Sequence, residues 1–423
     1  MTPSTPAFSC GGDTVAHSSN WAGKLTGMIR TTPFHDRVES LNQTGLWSHW
    51  AGHLVVDKYQ MAEKFEYFAV RNAAGVFDTS PLYKYRIVGA DAERFLSGVL
   101  ARDIRTCRPG RAQYTIWCDD DGFLMEDGVV MRLSSDEFIL SAARPNLSYL
   151  SNLTGRLDVE VADISDEYGA FAIQGPRSRQ ILSQVAPEIQ DLGYFHVTPV
   201  KLADASVIVS RTGFTGDLGY EIWVPADDAL AVWDAVMEAG AGHGIAPFGQ
   251  IALSMARIEA GLLLIDIDFQ SSRFAWTEAQ KSTPVELGLG WMFKDLERPF
   301  IGRDAIRREL DEGTSRYKFT GLVVDWEDWD AKHGAAGLIP PKDHTPVEED
   351  MMIYDDAGAR AGWSSSFMYS PMLQRHIALA RVRPDLATPG GSVNLEVTID
   401  HQYQTIAAHV TRLPLFNPER KTA

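Results

Sequence analysis

The chain has 423 residues, 45% of them apolar, and a formal net charge of −17. At roughly 150 residues per domain this length holds two or three domains. The acidic balance speaks against nucleic acid or anionic lipid as partners, and no apolar run reaches the roughly 18 residues of a membrane span.

The N-terminus, MTPSTPAFSCGGDTVAHSSN, lacks the basic-then-apolar layout of a secretory signal. Its Ser, Thr, Gly and Pro content reads as a mobile tail through residue 25. The cysteines, Cys10, Cys107 and Cys118, form no CxxC pair, which fits a reducing, cytoplasmic setting. Further on, His49 and His53 stand four apart. That spacing would place two metal ligands on one helix face. No third ligand lies nearby, so two unrelated polar positions beside Trp47 and Trp50 are the better reading, and no metal is expected.

An internal echo follows. YRIVGADAERFLSGV (residues 85–99) and FAIQGPRSRQILSQV (residues 171–185) each read as a strand, a glycine and a helix. Gly89 aligns with Gly175, Leu96 with Leu182 and Val99 with Val185. Asp91 is placed to cap the first helix, and Pro176 suits the first turn of the second. The repeat suggests a duplicated α+β module. Asp103 falls just past the first helix, in LARDIRTCRPGRAQY. A carboxylate is slightly disfavoured at a helix C-terminus, and a locally unfavourable placement can mark function. Neighbouring Arg102 and Arg105 offer a plainer explanation, neutralisation.

QYTIW, CDDDG and FLMEDGVVMRL then read as a hairpin. The turn contains Asp119, Asp120 and Asp121, whose spacing fails as a calcium loop. In RTGFTGDLGYEIW (residues 211–223) a glycine-rich turn joins two strands. Alternation puts Tyr220 and Ile222 on one face, Glu221 and Trp223 on the other. A strand-borne carboxylate can accept two parallel N–H bonds from a flat 2-amino-heterocycle; a plain hairpin with Glu221 in solvent is the alternative. Helices are expected over DDALAVWDAVMEAG and FGQIALSMARIEAG. Residues 326–350 read as an irregular insertion or linker. Short alternating strands beyond them suggest a small β-barrel or sandwich. Phosphate and dinucleotide loops and the nucleophile elbow are missing from the sequence.

Taken together, RTGFTGDLGYEI, FDTS (residues 77–80), QGP (174–176), ARIEAGLLL, TPVELGLGW (283–291), FIGRDA (300–305) and SFMYSPMLQRHIALARV resemble, in order, the motifs of the glycine-cleavage T-protein (aminomethyltransferase) family. The likeness spans roughly residues 30–420. It implies an α+β fold of three domains in a cloverleaf, two of them related and the third barrel-like, around tetrahydrofolate. The implied domains are residues 26–60 with 165–290 (folate-binding), 61–164 (carrying Asp103), and 291–423 (linker and barrel), after a tail of residues 1–25.

By position, Asp103 matches the family's catalytic aspartate and Glu221 its pterin-binding glutamate. Arg257 matches a folate-side arginine, Phe214 stands for the motif tyrosine and Asp119 for an asparagine. Trp291 completes the implied cofactor set. SPLY (80–83) and LID (264–266) depart from the family pattern on the donor side. IRTTPFHDRV resembles the tetrahydrofolate-dependent demethylase and methylene-transferase branch, which includes dimethylsulfoniopropionate demethylases and enzymes acting on methylenedioxy lignans such as sesamin. The implied activity is transfer of a methyl or methylene group from a small donor to tetrahydrofolate. The alternatives are aminomethyl transfer in glycine cleavage and a non-catalytic, folate-binding regulatory role. The eleven tryptophans, among them Trp47, Trp50, Trp223 and Trp291, suit a cationic donor and an aromatic ether equally. The chain's acidity makes an acidic carrier protein an unlikely partner.

Overall fold

The computed structural model describes residues 29–423; the N-terminal tail and Cys10 lie outside the described residues. Two sheets form the centre. The first has six strands in the order Val197–Leu202, Ala205–Ser210, Gly219–Pro225, Tyr168–Gln174, Ala74–Asp78 and Ile245–Pro247. All its pairings are antiparallel except the last. The second has five antiparallel strands in the order Arg111–Cys118, Leu124–Arg132, Glu137–Ala142, Tyr83–Val88 and Glu160–Asp163.

The sheets stack through a small apolar layer of Trp223, Ala170 and Val197 from one and Ala112, Met131 and Ile139 from the other. Helices cover the outer faces. Ile181, Leu182, Val232, Trp233 and Val236 pack on Tyr220, Ile222 and Val224. Phe95, Leu96 and Val99 pack on Tyr85, Trp117 and Leu140. The result is helix, sheet, sheet, helix, each sheet having two buried faces. The alternation expected at Tyr220–Trp223 holds, with Glu221 and Trp223 turned toward the second sheet.

Both halves of the echo adopt the same local form. Strands Tyr83–Val88 and Tyr168–Gln174 run into Gly89 (φ 144°) and Gly175 (φ 127°), then into helices Ala92–Val99 and Ser178–Val185. A Cβ at Gly89 would lie 2.2 Å from the Asp158 carbonyl oxygen, and one at Gly175 2.5 Å from that of Val70. The backbone crosses too closely there for any side chain. Asp91 does not cap its helix as the sequence suggested; its carboxylate accepts from the Asp158 amide at 3.0 Å and ties down the neighbouring loop.

Two further expectations change. Strand Ala74–Asp78, which the motif-based boundary at residue 61 assigned to the second unit, belongs to the first sheet, between Tyr168–Gln174 and Ile245–Pro247. Its fully buried AGVFD run needs neighbours on both sides. Residues 326–350 are not wholly irregular: Trp326–Ala335 is a helix, capped by the Asp325 carboxylate, which accepts from the Asp328 amide at 3.0 Å. The C-terminal strands close into a six-stranded barrel.

Candidate functional site

The helix Ala92–Val99 ends in LARD, and Asp103 projects just beyond it. Both oxygens of its carboxylate are held by Arg105. The amide and Nε donate to Oδ1 at 3.0 and 2.9 Å, and Nη2 donates to Oδ2 at 2.9 Å. The unfavourable helix end is offset by a residue far along the chain. Arg298 donates to the terminal carbonyls of Ser97, Leu100 and Ala101, where a cation is favoured. Its Nε stands 3.9 Å from Asp103 Oδ1 and has no hydrogen-bond partner. Partial burial raises the Asp103 pKa; the bonds from Arg105 and the charges of Arg105 and Arg298 outweigh that and hold it below the ordinary aspartate value. Asp103 is therefore ionised at neutral pH, with its side chain 19% exposed.

Trp291 comes to the same place. Its ring lies under the Arg102 guanidinium at 5.1 Å, one residue from Asp103, and it is 49% exposed. Asp295, from the same loop, shares Arg105 at 3.2 Å.

The turn between strands Ala205–Ser210 and Gly219–Pro225 is built around Gln174 of the QGP segment. Thr215 Oγ1 donates to Gln174 Oε1 at 2.9 Å. A Cβ at Gly213 or Gly219 would lie 2.1 or 2.3 Å from the Gln174 side chain. Those glycines exist to admit that amide. Arg71 anchors the turn from below, donating to the Thr215 carbonyl at 2.8 Å. Thr212, at the head of the turn, donates its hydroxyl to Glu221 Oε2 and also bonds Ser210 Oγ at 2.6 Å. Glu221 faces no cation among the described residues, and its Oε1 has no partner there. Burial pushes its pKa up, and the Thr212 bond only partly opposes this. Phe214 is half-buried in the same turn.

The Asp103 and Glu221 regions are joined by backbone. The Ala112 amide donates to the Phe195 carbonyl at 2.8 Å, and the Phe195 amide to the Arg211 carbonyl at 3.0 Å. Asp103 meets this seam through Gln113, which donates to its carbonyl at 3.3 Å. Thr212 meets it as the neighbour of Arg211.

Two expected site residues lie elsewhere. Arg257 has no exposed side-chain surface. It donates to Asp268 at 2.7 Å, to Glu348 at 2.6 Å and to Ser366 at 2.7 Å. It pins helix Gln250–Ala260 to the barrel, with its guanidinium buried among these partners. Asp119 sits in the hairpin turn and accepts from the Phe123 amide at 2.9 Å. The segment at residues 101–103 runs beside residues 113–116, so Asp119 stands about five residues up the strand, roughly 15–20 Å from Asp103. Nor do His49 and His53 share a helix: they lie on two strands of a hairpin, and His49 accepts from the Gly52 amide.

The sequence reading missed Arg298 and Thr212. Arg298 carried no local signal, whereas Thr212 stood within the motif and nine residues before Glu221. It also missed a pair of buried acids. Burial pushes Glu126 up to about 8 and Asp127 to about 6; Asn146 donates to the first, and the Tyr114 hydroxyl to the second at 2.8 Å.

Comparison with known proteins agrees with this architecture. The family model described as the GCVT N-terminal domain matches residues 29–295, and that of the glycine cleavage T-protein C-terminal barrel domain matches residues 335–417. An aminomethyltransferase of Halothermothrix orenii is 32% identical over 353 residues, covering 82% of this chain and 90% of that protein. The heme-dependent oxidative N-demethylase gamma subunit of Ectopseudomonas mendocina is 32% identical over 356 residues, covering 84% and 87%. The trimethylamine-oxide aldolase of Ruegeria pomeroyi is 32% identical over 409 residues, covering 93% of this chain but 48% of that protein. Among solved structures, the glycine cleavage system aminomethyltransferase T of Bartonella henselae superposes with a TM-score of 0.77 at 22% identity, covering 92% of this chain and 98% of that one, a likeness of fold.

Proposed function

The chain belongs to the glycine cleavage T-protein family, and we propose that it is a tetrahydrofolate-dependent transferase that moves a methyl or methylene group from a small-molecule donor. The observation that carries this reading is the opposite treatment of two carboxyls. Asp103 is held ionised between two arginines, while Glu221 is pushed up and, among the described residues, has no cation and keeps one oxygen free.

The residues fit a folate. A carboxyl with an unused oxygen on a rigid strand suits the 2-amino group of a pterin. Thr212 fixes its rotamer by occupying the other oxygen. Phe214 and Trp291 offer ring faces for a flat heterocycle. Bound tetrahydrofolate supplies a nucleophilic nitrogen that accepts the one-carbon unit. The protein's part is to hold fixed negative charge where positive charge develops, which Asp103 does without reorganisation because its dipoles and cations are already in place. Asp103 can also take a proton, at the cost of loosening its bonds to Arg105. Arg257 supports the site at a distance, by fixing the barrel against the helix. A carrier protein is not required.

Donors with the carbon on oxygen, sulfur or nitrogen are all compatible. Two relatives bear names of N-methyl chemistry, which adds amines to the panel. The test is to incubate the purified protein with tetrahydrofolate and a methylenedioxy lignan, a methoxy-aromatic, dimethylsulfoniopropionate, an N-methylated amine or an aminomethyl-lipoyl carrier, and to follow the folate by mass spectrometry. 5-Methyl-tetrahydrofolate names a demethylase and 5,10-methylene-tetrahydrofolate from the small donors a methylene transferase, each abolished by Asp103→Ala. Product from the lipoyl carrier alone establishes aminomethyl transfer instead. Folate binding without turnover of any donor favours the regulatory role.

A further inference from the structure

The adjacent acids Glu126 and Asp127 point to opposite sides of their sheet, as neighbours on a strand do. Glu126 stands opposite Trp117, whose ring packs under the helices, and Asp127 stands opposite Ile116 on the other face. Ile116 belongs to the apolar cluster in which Phe77, Phe248, Leu289, Met292 and Leu379 of the barrel meet, with Tyr114 packed against it. Asp127 thus faces the place where the parts of the chain converge. We propose that Asp127, backed by the Tyr114 hydroxyl, is the acid that gives a proton to the leaving atom of the one-carbon donor, and that this donor is an ether or acetal whose oxygen departs as an anion, not a sulfonium. The proposal rests on the folate reading above.

Position is the first ground. The segment that carries Asp103 runs along strand Arg111–Cys118. The Ala101 amide donates to the Ile116 carbonyl at 2.8 Å, and Arg102 to the Tyr114 carbonyl at 3.0 Å. Asp103 and the Tyr114–Asp127 pair therefore sit on adjoining segments. Asp127 is half-buried, yet burial dominates its titration. The surface it keeps opens on a recess and not on bulk water. Glu221 shows the same combination.

Chemistry is the second. Tyr114 donates to Asp127 Oδ2 at 2.8 Å, which leaves Oδ1 without a partner among the described residues. No cation among them pairs with Asp127. The charge that faces it is Asp268, which raises its pKa further and is itself paired with Arg257 at 2.7 Å. Asp103 is clamped by Arg105 and is a poor proton donor, so the two carboxyls divide the work: Asp103 supplies fixed charge and Asp127 the proton. The C–O bond breaks as the carbon joins a folate nitrogen, and its electron pair stays on oxygen. Asp127 Oδ1 supplies the proton that makes the hydroxyl. The proton displaced from the folate nitrogen leaves through Asp103 or solvent, and solvent restores the proton on Asp127, so no oxidant or reductant is needed. A methylene acetal takes the same step twice. A sulfonium departs as a neutral thioether, for which a proton donor does nothing.

The experiment follows the folate product of the full chain with tetrahydrofolate and 4-methylanisole, 4-nitroanisole, 1,3-benzodioxole or dimethylsulfoniopropionate, with calorimetric titration of tetrahydrofolate alongside. Asp127→Asn should lower kcat about 100-fold on 4-methylanisole, whose leaving oxygen is strongly basic, and only a few-fold on 4-nitroanisole, whose oxygen is weakly basic, with KM little changed. Wild-type kcat should fall as pH rises past about 6, where the acid form of Asp127 is lost, and Asp127→Asn should lack that limb. Tyr114→Phe should shift the limb and cost less. Folate affinity should be unchanged in both variants. Equal loss on the two anisoles overturns the proposal, and so does full activity in Asp127→Asn. If folate binds but only the sulfonium is turned over, or nothing is, the proposal falls and the folate reading stands. If wild type binds no folate, both fall.

Discussion

Arg298 Nε lies 3.9 Å from Asp103 Oδ1, while the rest of the same guanidinium holds the last carbonyls of the helix that ends just before Asp103. One side chain thus closes a helix terminus and contributes to the charge environment of the candidate catalytic carboxylate. Arg298→Met removes buried charge-assisted donors and leaves carbonyls unpaired. The expected loss is about 2–4 kcal/mol in urea unfolding. Carboxyl-carbon NMR should show Asp103 titrating closer to an ordinary aspartate.

Glu221 responds to pH with the opposite sign from Asp103. Its folded pKa is raised by burial, so the fold favours the protonated form. That contribution is complete below the ordinary glutamate range and is lost as pH rises through the folded value. Glu221→Gln should match wild type below the ordinary glutamate range and exceed it by about 1 kcal/mol in alkaline solution. Its affinity for tetrahydrofolate should nevertheless fall by about tenfold or more. Urea unfolding across pH and calorimetric titration check the two halves.

Glu126 extends the same logic into the second sheet. Burial pushes it up to about 8, so it is neutral at neutral pH. Wild type should lose stability relative to Glu126→Gln as pH rises from the ordinary glutamate value through about 8, by on the order of 1–3 kcal/mol. A difference that stays flat over that window would mean the carboxyl is ionised throughout.

Beneath the glycine-rich turn, Glu259 accepts from Arg71 at 2.6 Å, from Tyr67 at 2.5 Å and from Ser370 at 2.5 Å. Arg71→Met leaves the carboxylate buried without its cation and should cost about 3–5 kcal/mol in thermal or urea unfolding. Because Arg71 also holds the Thr215 carbonyl, the same variant should weaken folate binding. Tyr67→Phe removes one hydrogen bond and should cost about 1 kcal/mol.

The sequence carried the parts of this molecule that depend on local chemistry. Period-two alternation set Tyr220 and Ile222 on one face and Glu221 and Trp223 on the other, and the strand–glycine–helix echo picked out the two glycines at which the backbone crosses too closely for a side chain. Short alternating strands left barrel and sandwich open, and the family resemblance pointed to the barrel that the strand pairing closes with six strands. What failed depended on distant chain. Strand Ala74–Asp78 reads as apolar wherever it is put, and only its pairing with Tyr168–Gln174 shows its sheet. Asp91 looked like a cap because spacing ignores the loop at Asp158 that claims it. Asp103 looked misplaced on its helix because Arg298, which corrects the placement, lies in a loop near the start of the third expected domain. Arg257 matched a motif, but a motif does not say whether a guanidinium faces a ligand or Asp268, Glu348 and Ser366.

Helix Gln250–Ala260 bears Arg257 and Glu259 two residues apart, and both reach into the barrel: Arg257 to Ser366, and Glu259 to Ser370. The barrel is thus keyed to its host. A chimera that takes its barrel from a relative lacking those serines would leave one buried donor of Arg257 and one acceptor site of Glu259 unmatched, while Asp268 and Arg71 still pair the two side chains. Recombination within this family should therefore give less stable proteins at a crossover drawn between helix and barrel than where the two are inherited together.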